Sequence, residues 1–340
     1  MTSILMDLAV ELERKLGLSR ARAISIAHSQ LLEMRRERLP SNHSISGELD
    51  DTTARNDLVQ FLDRLGAYPS GDYRGRGIVL CAGGTRYFRY AWVCINMLRR
   101  MGCRLPIEMW HFGHYELDEF MTELVRPLDV TTVDALQVRK RHPIRLLLSY
   151  AIKPYALLHS SFEEVLLLDA DNVPLINVET LFDEPAFRDS GALFWPDEAP
   201  ISASNPIWRI CNLPYREEPA FESGQMVIAK PASWRALNLT MHMNAHSDYF
   251  YQYLQGDKDC FQIAWRVACA PYSLIPYPMK RLAGAMCQHN SYGRLVFQHR
   301  NDAKWDRDNQ RIPGFVHEDE CLALLDELDR RWDGRIATHE

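Results

Sequence analysis

Two aspartates at i, i+2, Asp169 and Asp171, follow the apolar run Val165-Leu166-Leu167-Leu168, and Pro174 closes the segment. Four consecutive apolar residues read as a strand buried on both faces. In an extended chain, residues i and i+2 point to the same side. The spacing therefore predicts that both carboxylates leave the end of a core strand together. Two carboxylates about 4 Å apart repel by about 1 kcal/mol in water and about 4 kcal/mol at an effective dielectric near 20. Such a pair is held by a cation or shares a proton. Oxygen ligands of this kind suit Mg²⁺ or Mn²⁺, with substrate phosphates often completing the shell. The plain alternative is a strand end at which Asp caps the following turn.

The elements around this pair read as an α/β domain. Ile78-Val79-Leu80-Cys81-Ala82 is an apolar strand, followed directly by Gly83-Gly84-Thr85-Arg86 and a helix from Tyr87 to Met101. A strand, a glycine turn and a helix bring backbone N–H groups and a positive helix end to a ligand, which makes Ala82, Gly83, Gly84 and Thr85 candidates for nucleotide binding. The turn matches neither the GxGxxG nor the GxxxxGK[ST] pattern, and adjacent glycines also make ordinary tight turns. Further strands are expected at Ile107–Phe112, Val130–Val133, Val165–Leu168 and Gly191–Trp195, with helices at Leu117–Val125 and Ala151–His159. Such alternation indicates a sheet with right-handed crossovers, and ligands then bind at the carboxyl ends of its strands.

The second half is less regular. A strand ends the run Phe221–Ile228, and helices are expected from Pro231 to about Leu239 and from Phe261 to Ala268. Leu295–His299 is a strand that delivers His299 at its end, and residues 318–332 form an amphipathic helix. Towards the N-terminus, Leu5, Leu8, Leu12 and Leu16 recur at helical spacing, a second helix begins near Ser19, and a short one is expected over Thr53–Leu65. The expected division is a helical accessory region (1–75), an α/β domain (76–317) and a C-terminal helix and tail (318–340).

Composition narrows the function classes. The 340 residues are 46% hydrophobic and 25% charged, as in ordinary soluble domains. A net charge of −6 argues against a general binder of nucleic acid or anionic membranes. Eight scattered cysteines contain no CxxC pair, and several lie in apolar stretches, as buried thiols do in a reducing compartment. Asp7, Glu11 and Glu13 interrupt any signal-peptide core, and no stretch reaches the roughly 18 apolar residues of a membrane span. The expected setting is cytoplasmic.

Several short motifs occur in one order: Cys81-Ala82-Gly83-Gly84, Lys153-Pro154-Tyr155-Ala156-Leu157, Leu167-Leu168-Asp169-Ala170-Asp171, Phe194-Trp195-Pro196-Asp197, Glu222-Ser223-Gly224-Gln225 and Gly256-Asp257-Lys258-Asp259. Together they resemble the mannosyltransferases related to fungal α-1,3-mannosyltransferases. The order is also similar to the wider class of retaining GT-A glycosyltransferases that includes glycogenin. The resemblance spans roughly residues 77–305. It implies a GT-A-type mixed sheet flanked by helices and a nucleotide-sugar donor, GDP-mannose favoured and a UDP-sugar the alternative. It also implies Mn²⁺, with Mg²⁺ as substitute, and transfer with retention of configuration to an acceptor that the sequence leaves open.

Carried over residue by residue, the resemblance makes Asp169-Ala170-Asp171 the DxD motif for metal and donor, with His299 completing the metal set. Lys153 and Lys304 match basic residues at the donor diphosphate, although the glycine usual near Lys304 is missing. Glu222, Gln225, Asp257 and Asp259 match positions that line the sugar, with Asp259, Glu222 and Gln225 as the catalytic candidates. Asp257 and Asp259 also suit a helix N-cap. Trp195 is a candidate for stacking on the sugar, with core packing as the alternative.

Other patterns carry less. His242 and His246 stand at i, i+4, a zinc spacing, but no third ligand lies nearby in sequence, so a helix surface is expected. Arg139-Lys140-Arg141-His142 reads as a solvated basic face. The rival functions are a sugar-phosphate nucleotidyltransferase, suggested by Gly84-Thr85-Arg86, an inactive nucleotide-sugar-binding protein, and a phosphohydrolase using Asp169. The first needs a lysine soon after its glycine loop, and the next lysine here is Lys140.

Overall fold

The computed structural model describes residues 9–10, 50–305 and 311–337. The leucine ladder from Leu5 to Leu16 and the helix expected from Ser19 lie outside the described residues, apart from Ala9 and Val10, which are helical. Eleven strands and eight helices of seven residues or more are described. They are α1 (Asp51–Arg64), β1 (Arg76–Cys81), α2 (Gly84–Arg100), β2 (Ile107–His111), α3 (Glu119–Val125), β3 (Val130–Asp134), α4 (Ala135–Arg141), α5 (Ile152–His159), β4 (Glu164–Asp169), β5 (Asn172–Pro174), β6 (Ala192–Pro196), β7 (Phe221–Ala229), α6 (Lys230–Ala245), α7 (Gly256–Val267), β8 (Ser273–Leu274), β9 (Lys280–Leu282), β10 (Ala285–His289), β11 (Leu295–His299) and α8 (Glu318–Arg331).

The main sheet has the order β3-β2-β1-β4-β7-β6-β8. Its β3-β2-β1-β4 half is parallel, β7 runs antiparallel to both β4 and β6, and β8 pairs parallel with β6. The chain passes outward from β1 to β2 and β3, then returns to place β4 on the other side of β1. That reversal opens a crevice beyond the carboxyl ends of β1 and β4, where Cys81 pairs with Asp169. A second, antiparallel sheet of order β5-β11-β10-β9 lies beside it.

Burial follows the apolar pattern. In β4, Leu166 and Leu168 join one core, with Ile78, Leu80 and the inner face of α2, while Val165 and Leu167 join the opposite core, with Val79 and the helices α5, α6 and α7. A strand buried on both faces has no polar side to show, and this explains the unbroken run Val165–Leu168.

The outer elements are tied down individually. Asp50 caps α1 by accepting from the Thr52 and Thr53 N–H groups, and Thr53 closes the capping box. Ala54, Leu58 and Leu62 of α1 pack with Ile207, Leu239 and Ile263 in a third core. The C-terminal helix α8 lies on α2 and belongs to the main core: the Trp92 indole donates to the Leu324 carbonyl at 2.9 Å, and Arg89 pairs with Asp329. The basic run at Arg139 is the last turn of α4, and Arg139 itself is buried, donating to the Ile144 carbonyl. Among the described residues no helix is long and apolar enough to cross a membrane.

Candidate active site

Asp169 is the last residue of β4, and the chain then turns at Ala170-Asp171 before Asn172 opens β5. The two carboxylates thus do not share one extended strand, as their spacing predicts. A turn between the two sheets makes them converge. His299 Nε2 lies 3.0 Å from Asp171 Oδ1 and 3.8 Å from Asp169 Oδ2. One ligand atom from each of the three residues falls within 4.8 Å of the others. β11 delivers His299 from 128 residues beyond Asp171, because β11 pairs with β5 and sets His299 opposite Asn172.

Two lysines balance the carboxylates. Lys153 of α5 places Nζ 2.6 Å from Asp169 Oδ1 and 3.8 Å from Asp257 Oδ2, and donates to Ser223 Oγ at 3.2 Å. Lys304 pairs with Asp171 Oδ2. Burial works against charge at Asp171, His299 and Lys153, and there the neighbours decide the outcome. Burial would raise the Asp171 carboxyl, but His299 and Lys304 hold it far below the usual carboxylate range. Burial would lower the His299 imidazole, but Asp171 and Glu222 lift it to about 10. Lys153 is likewise raised, against burial, by Asp169 and Asp257. Asp257 moves the other way: burial and the nearby Asp169 push its carboxyl up to about 6, although Lys153 opposes.

Glu222 stands behind His299. Its Oε1 is 3.3 Å from His299 Nδ1 and accepts from the Gly224 N–H at 2.8 Å. Gly224 must lack a side chain here: a Cβ would lie 2.5 Å from His299 Nδ1 and 2.7 Å from Glu222 Oε1. Gly83 is required for the same reason, since its Cβ would lie 2.1 Å from Glu116 Oε2. With that side chain absent, the N-terminus of α2 can start beside the crevice, with no side chain capping it.

A cavity of about 340 Å³ opens at this point, lined by Ala82, Gly83, Lys153, Asp169, Ala170, Asp171, His299 and Lys304. Aromatic walls from Tyr87, Trp110, Phe112 and Tyr150 complete it. A larger polar cleft of about 660 Å³ adjoins, sharing Asn301 with the first and lined by Glu222, Asp259, Asp197 and Lys258 among others.

Not every expected residue arrives. Trp195 is fully buried, donates its indole N–H to the His289 carbonyl at 2.6 Å and packs edge-on against Phe297. It is a core residue and lines neither cavity, because its position in β6 faces the second sheet. Gly84 and Thr85 begin α2 without lining the cavity. Gln225 sits in β7 opposite Leu168, accepting from Asn172 Nδ2 at 2.7 Å, so it supports the turn and does not face the cavity. Asp257 reaches the site through Lys153. Asp259 lies in the first turn of α7, accepting from the Gln255 N–H at 2.8 Å while its other oxygen meets Lys258 at 3.3 Å. Glu116 and the aromatic walls escape sequence reasoning, since each is a single residue in a different stretch of the chain with no spacing signal.

The family model described as "Mannosyltransferase putative" matches residues 75–211 and 213–302, more than half of the chain. The chain belongs to this mannosyltransferase family. Curated relatives of the chain are α-1,2-mannosyltransferases. MNN2 of Candida albicans is 26% identical over 255 residues, covering 59% of this chain and 42% of its own length. MNN2 of Saccharomyces cerevisiae is 32% identical over 149 residues, covering 43% of this chain and 25% of its own. The chain thus spans less than half the length of these relatives. Among solved structures, the galactosyltransferase LgtC, in complex with donor and acceptor sugar analogs, superposes with a TM-score of 0.50 at 13% identity, covering 75% of this chain and 100% of that one. The fold is therefore that of the GT-A glycosyltransferases, a mostly parallel sheet between helices.

Proposed function

We propose that the chain transfers a hexose, mannose in the first instance, from a nucleoside-diphosphate sugar to an acceptor hydroxyl. One observation carries the reading: in a member of a mannosyltransferase family, Asp169, Asp171 and His299 converge with Lys153 and Lys304 on one cavity at the reversal point of the sheet. The α-1,2-mannosyltransferase activity of the relatives favours GDP-mannose over a UDP-sugar as donor.

Two carboxylate oxygens and one imidazole nitrogen within 4.8 Å suit a divalent ion, Mn²⁺ more than Mg²⁺, because Mg²⁺ prefers oxygen alone. A bound ion of this kind supplies Lewis-acid stabilisation of charge developing on the departing diphosphate. Lys153 and Lys304 each add a positive charge at the same cavity. Tyr87 and Tyr150, which line the cavity and are not buried, offer faces to a base or sugar. The adjoining polar cleft is the place for the acceptor.

Retention requires either a double displacement or attack from the leaving-group side. Both oxygens of Asp259 are already engaged, and Glu222 is held by His299 and the Gly224 N–H. That arrangement favours same-side attack, with the departing phosphate oxygen taking the acceptor proton. Arg86 turns along its own helix to donate to the Tyr90 hydroxyl at 2.6 Å, which disfavours a nucleotidyltransferase reading of the glycine turn. A cytoplasmic setting belongs to the same proposal, supported by six buried cysteines that are free thiols.

The test is incubation with GDP-mannose, other nucleotide sugars and Mn²⁺, with an acceptor panel of mannosides. GDP release that falls at least a hundredfold in Asp171→Asn is expected. Full activity in that variant, or pyrophosphate release from sugar phosphate and nucleoside triphosphate, overturns the reading.

A further inference from the structure

A separate cluster lies between α1 and α6. Asp57 from the middle of α1 places Oδ2 2.6 Å from His242 Nε2. His246, the residue that ends α6, stands one turn further on, its ring centroid 4.6 Å from that of His242. One ligand atom from each of the three residues lies within 4.8 Å of the others. Asp57 and His246 are buried and His242 is half-buried. All three line a cavity of about 530 Å³ that also takes in Phe61, Trp234 and Met241.

We propose that Asp57, His242 and His246 form a metal site for Zn²⁺ or an ion of similar preference, which clamps α1 to the body of the protein. The proposal does not depend on the mannosyltransferase reading. A helix-to-helix hydrogen bond between Asp57 and His242 would be complete without His246. Yet His246 is buried against that pair, with its Nδ1 3.0 Å from the His242 carbonyl. A carbonyl can only accept, so Nδ1 carries the hydrogen and Nε2 keeps the lone pair. Fixing one imidazole nitrogen on a carbonyl is how proteins orient the other towards a metal. His242 is held in turn by Phe61, whose ring stacks on it at 4.2 Å and 22°. Asp57 and Phe61 stand four residues apart, on one face of α1.

Two nitrogens and one carboxylate oxygen form a zinc ligand set when a fourth position stays open, and the cavity supplies that position. Ligand atoms at about 2.0–2.1 Å on a tetrahedral ion are about 3.3 Å apart. The Asp57–His242 contact then opens by about 0.7 Å as the ion replaces the hydrogen between them. Because the ligands come from two helices, binding energy is spent on docking α1.

The test uses the full chain, stripped with chelator and titrated with Co²⁺ and Zn²⁺. Wild type is expected to take up, besides any ion at Asp169, Asp171 and His299, one tight Co²⁺ with the visible absorption of a tetrahedral site, and Zn²⁺ is expected to displace it and raise Tm. His246→Gln leaves the Asp57–His242 hydrogen bond in place, so its metal-free Tm should stay near wild type. Its Co²⁺ affinity should fall more than about 100-fold, since even outer-shell changes cost 10- to 100-fold. Asp57→Asn should lose the band as well, whatever it does to Tm, and Asp171→Asn should keep it. Absence of tight Co²⁺ in wild type, a band that survives His246→Gln, or a band lost in Asp171→Asn overturns the proposal.

Discussion

His299 permits a quantitative test of the active-site assignment. Its imidazole lies between Asp171 Oδ1 at 3.0 Å and Glu222 Oε1 at 3.3 Å. Burial alone would discharge it, but the two carboxylates outweigh burial and raise its pKa to about 10. A divalent ion can bind only the neutral ring, so binding through His299 must expel a proton. At about pH 7.5 an imidazole with that pKa is fully charged, and close to one proton should leave per ion. An imidazole at the ordinary value of about 6.5 would release only about 0.1. Apparent Mn²⁺ affinity should accordingly rise about tenfold per pH unit from about pH 7 to 9, and level off beyond about 10. Calorimetric titration in two buffers of different ionisation enthalpy counts the protons directly. His299→Gln should remove the release and weaken binding. A wild-type count below about 0.2 would refute the argument, because His299 would then be either uncharged or not a ligand. The same shift bears on stability. A histidine whose folded pKa is raised contributes fully below about pH 6.5 and loses that contribution as pH climbs to about 10. Metal-free protein should therefore lose on the order of a few kcal/mol over that window, measured by urea unfolding at several pH values.

Gly224→Ala places a methyl 2.5 Å from His299 Nδ1. It should cost about 1–3 kcal/mol of stability and weaken Mn²⁺ binding at least tenfold, and unchanged Mn²⁺ affinity by titration would contradict the crowding argument. Lys153→Met strips Asp169 and Asp257 of their shared cation. Donor KM in the nucleoside-diphosphate release assay should rise at least tenfold, and a wild-type KM would remove Lys153 from the donor site. Leu167→Ala empties a fully buried position in β4. Urea unfolding should show a loss of roughly 2–5 kcal/mol, and a loss below about 1 kcal/mol would mean that the strand is not packed on that face.

The α/β alternation, the double-sided burial of Val165–Leu168 and the strand that ends in His299 were all legible in the sequence, because each is a local run whose period or apolarity is set by its own neighbours. The short strands β5, β9 and β10 were not, since a three- to five-residue segment such as Ala285–His289 becomes a strand only through its partners across the sheet. Trp195 shows the same limit from the other side: the sequence marks an aromatic beside the motifs, but which face of β6 it occupies depends on the second sheet that covers it.

At the candidate sites, residue types belong to the sequence and distances to the fold. The sequence by itself determined that two carboxylates follow a core strand, that a glycine turn precedes a helix, and that His242 and His246 share a helical face. Only the tertiary structure decided that the carboxylates converge through a turn and not by strand alternation, because β5 leaves the first sheet for the second at that point. Likewise the third member of each ligand group comes from far away: His299 lies 128 residues from Asp171, and Asp57 lies 185 residues from His242. No local pattern encodes such a pairing. It arises when buried strands and helices find the one arrangement that covers their apolar faces, and the polar residues at their ends are carried along.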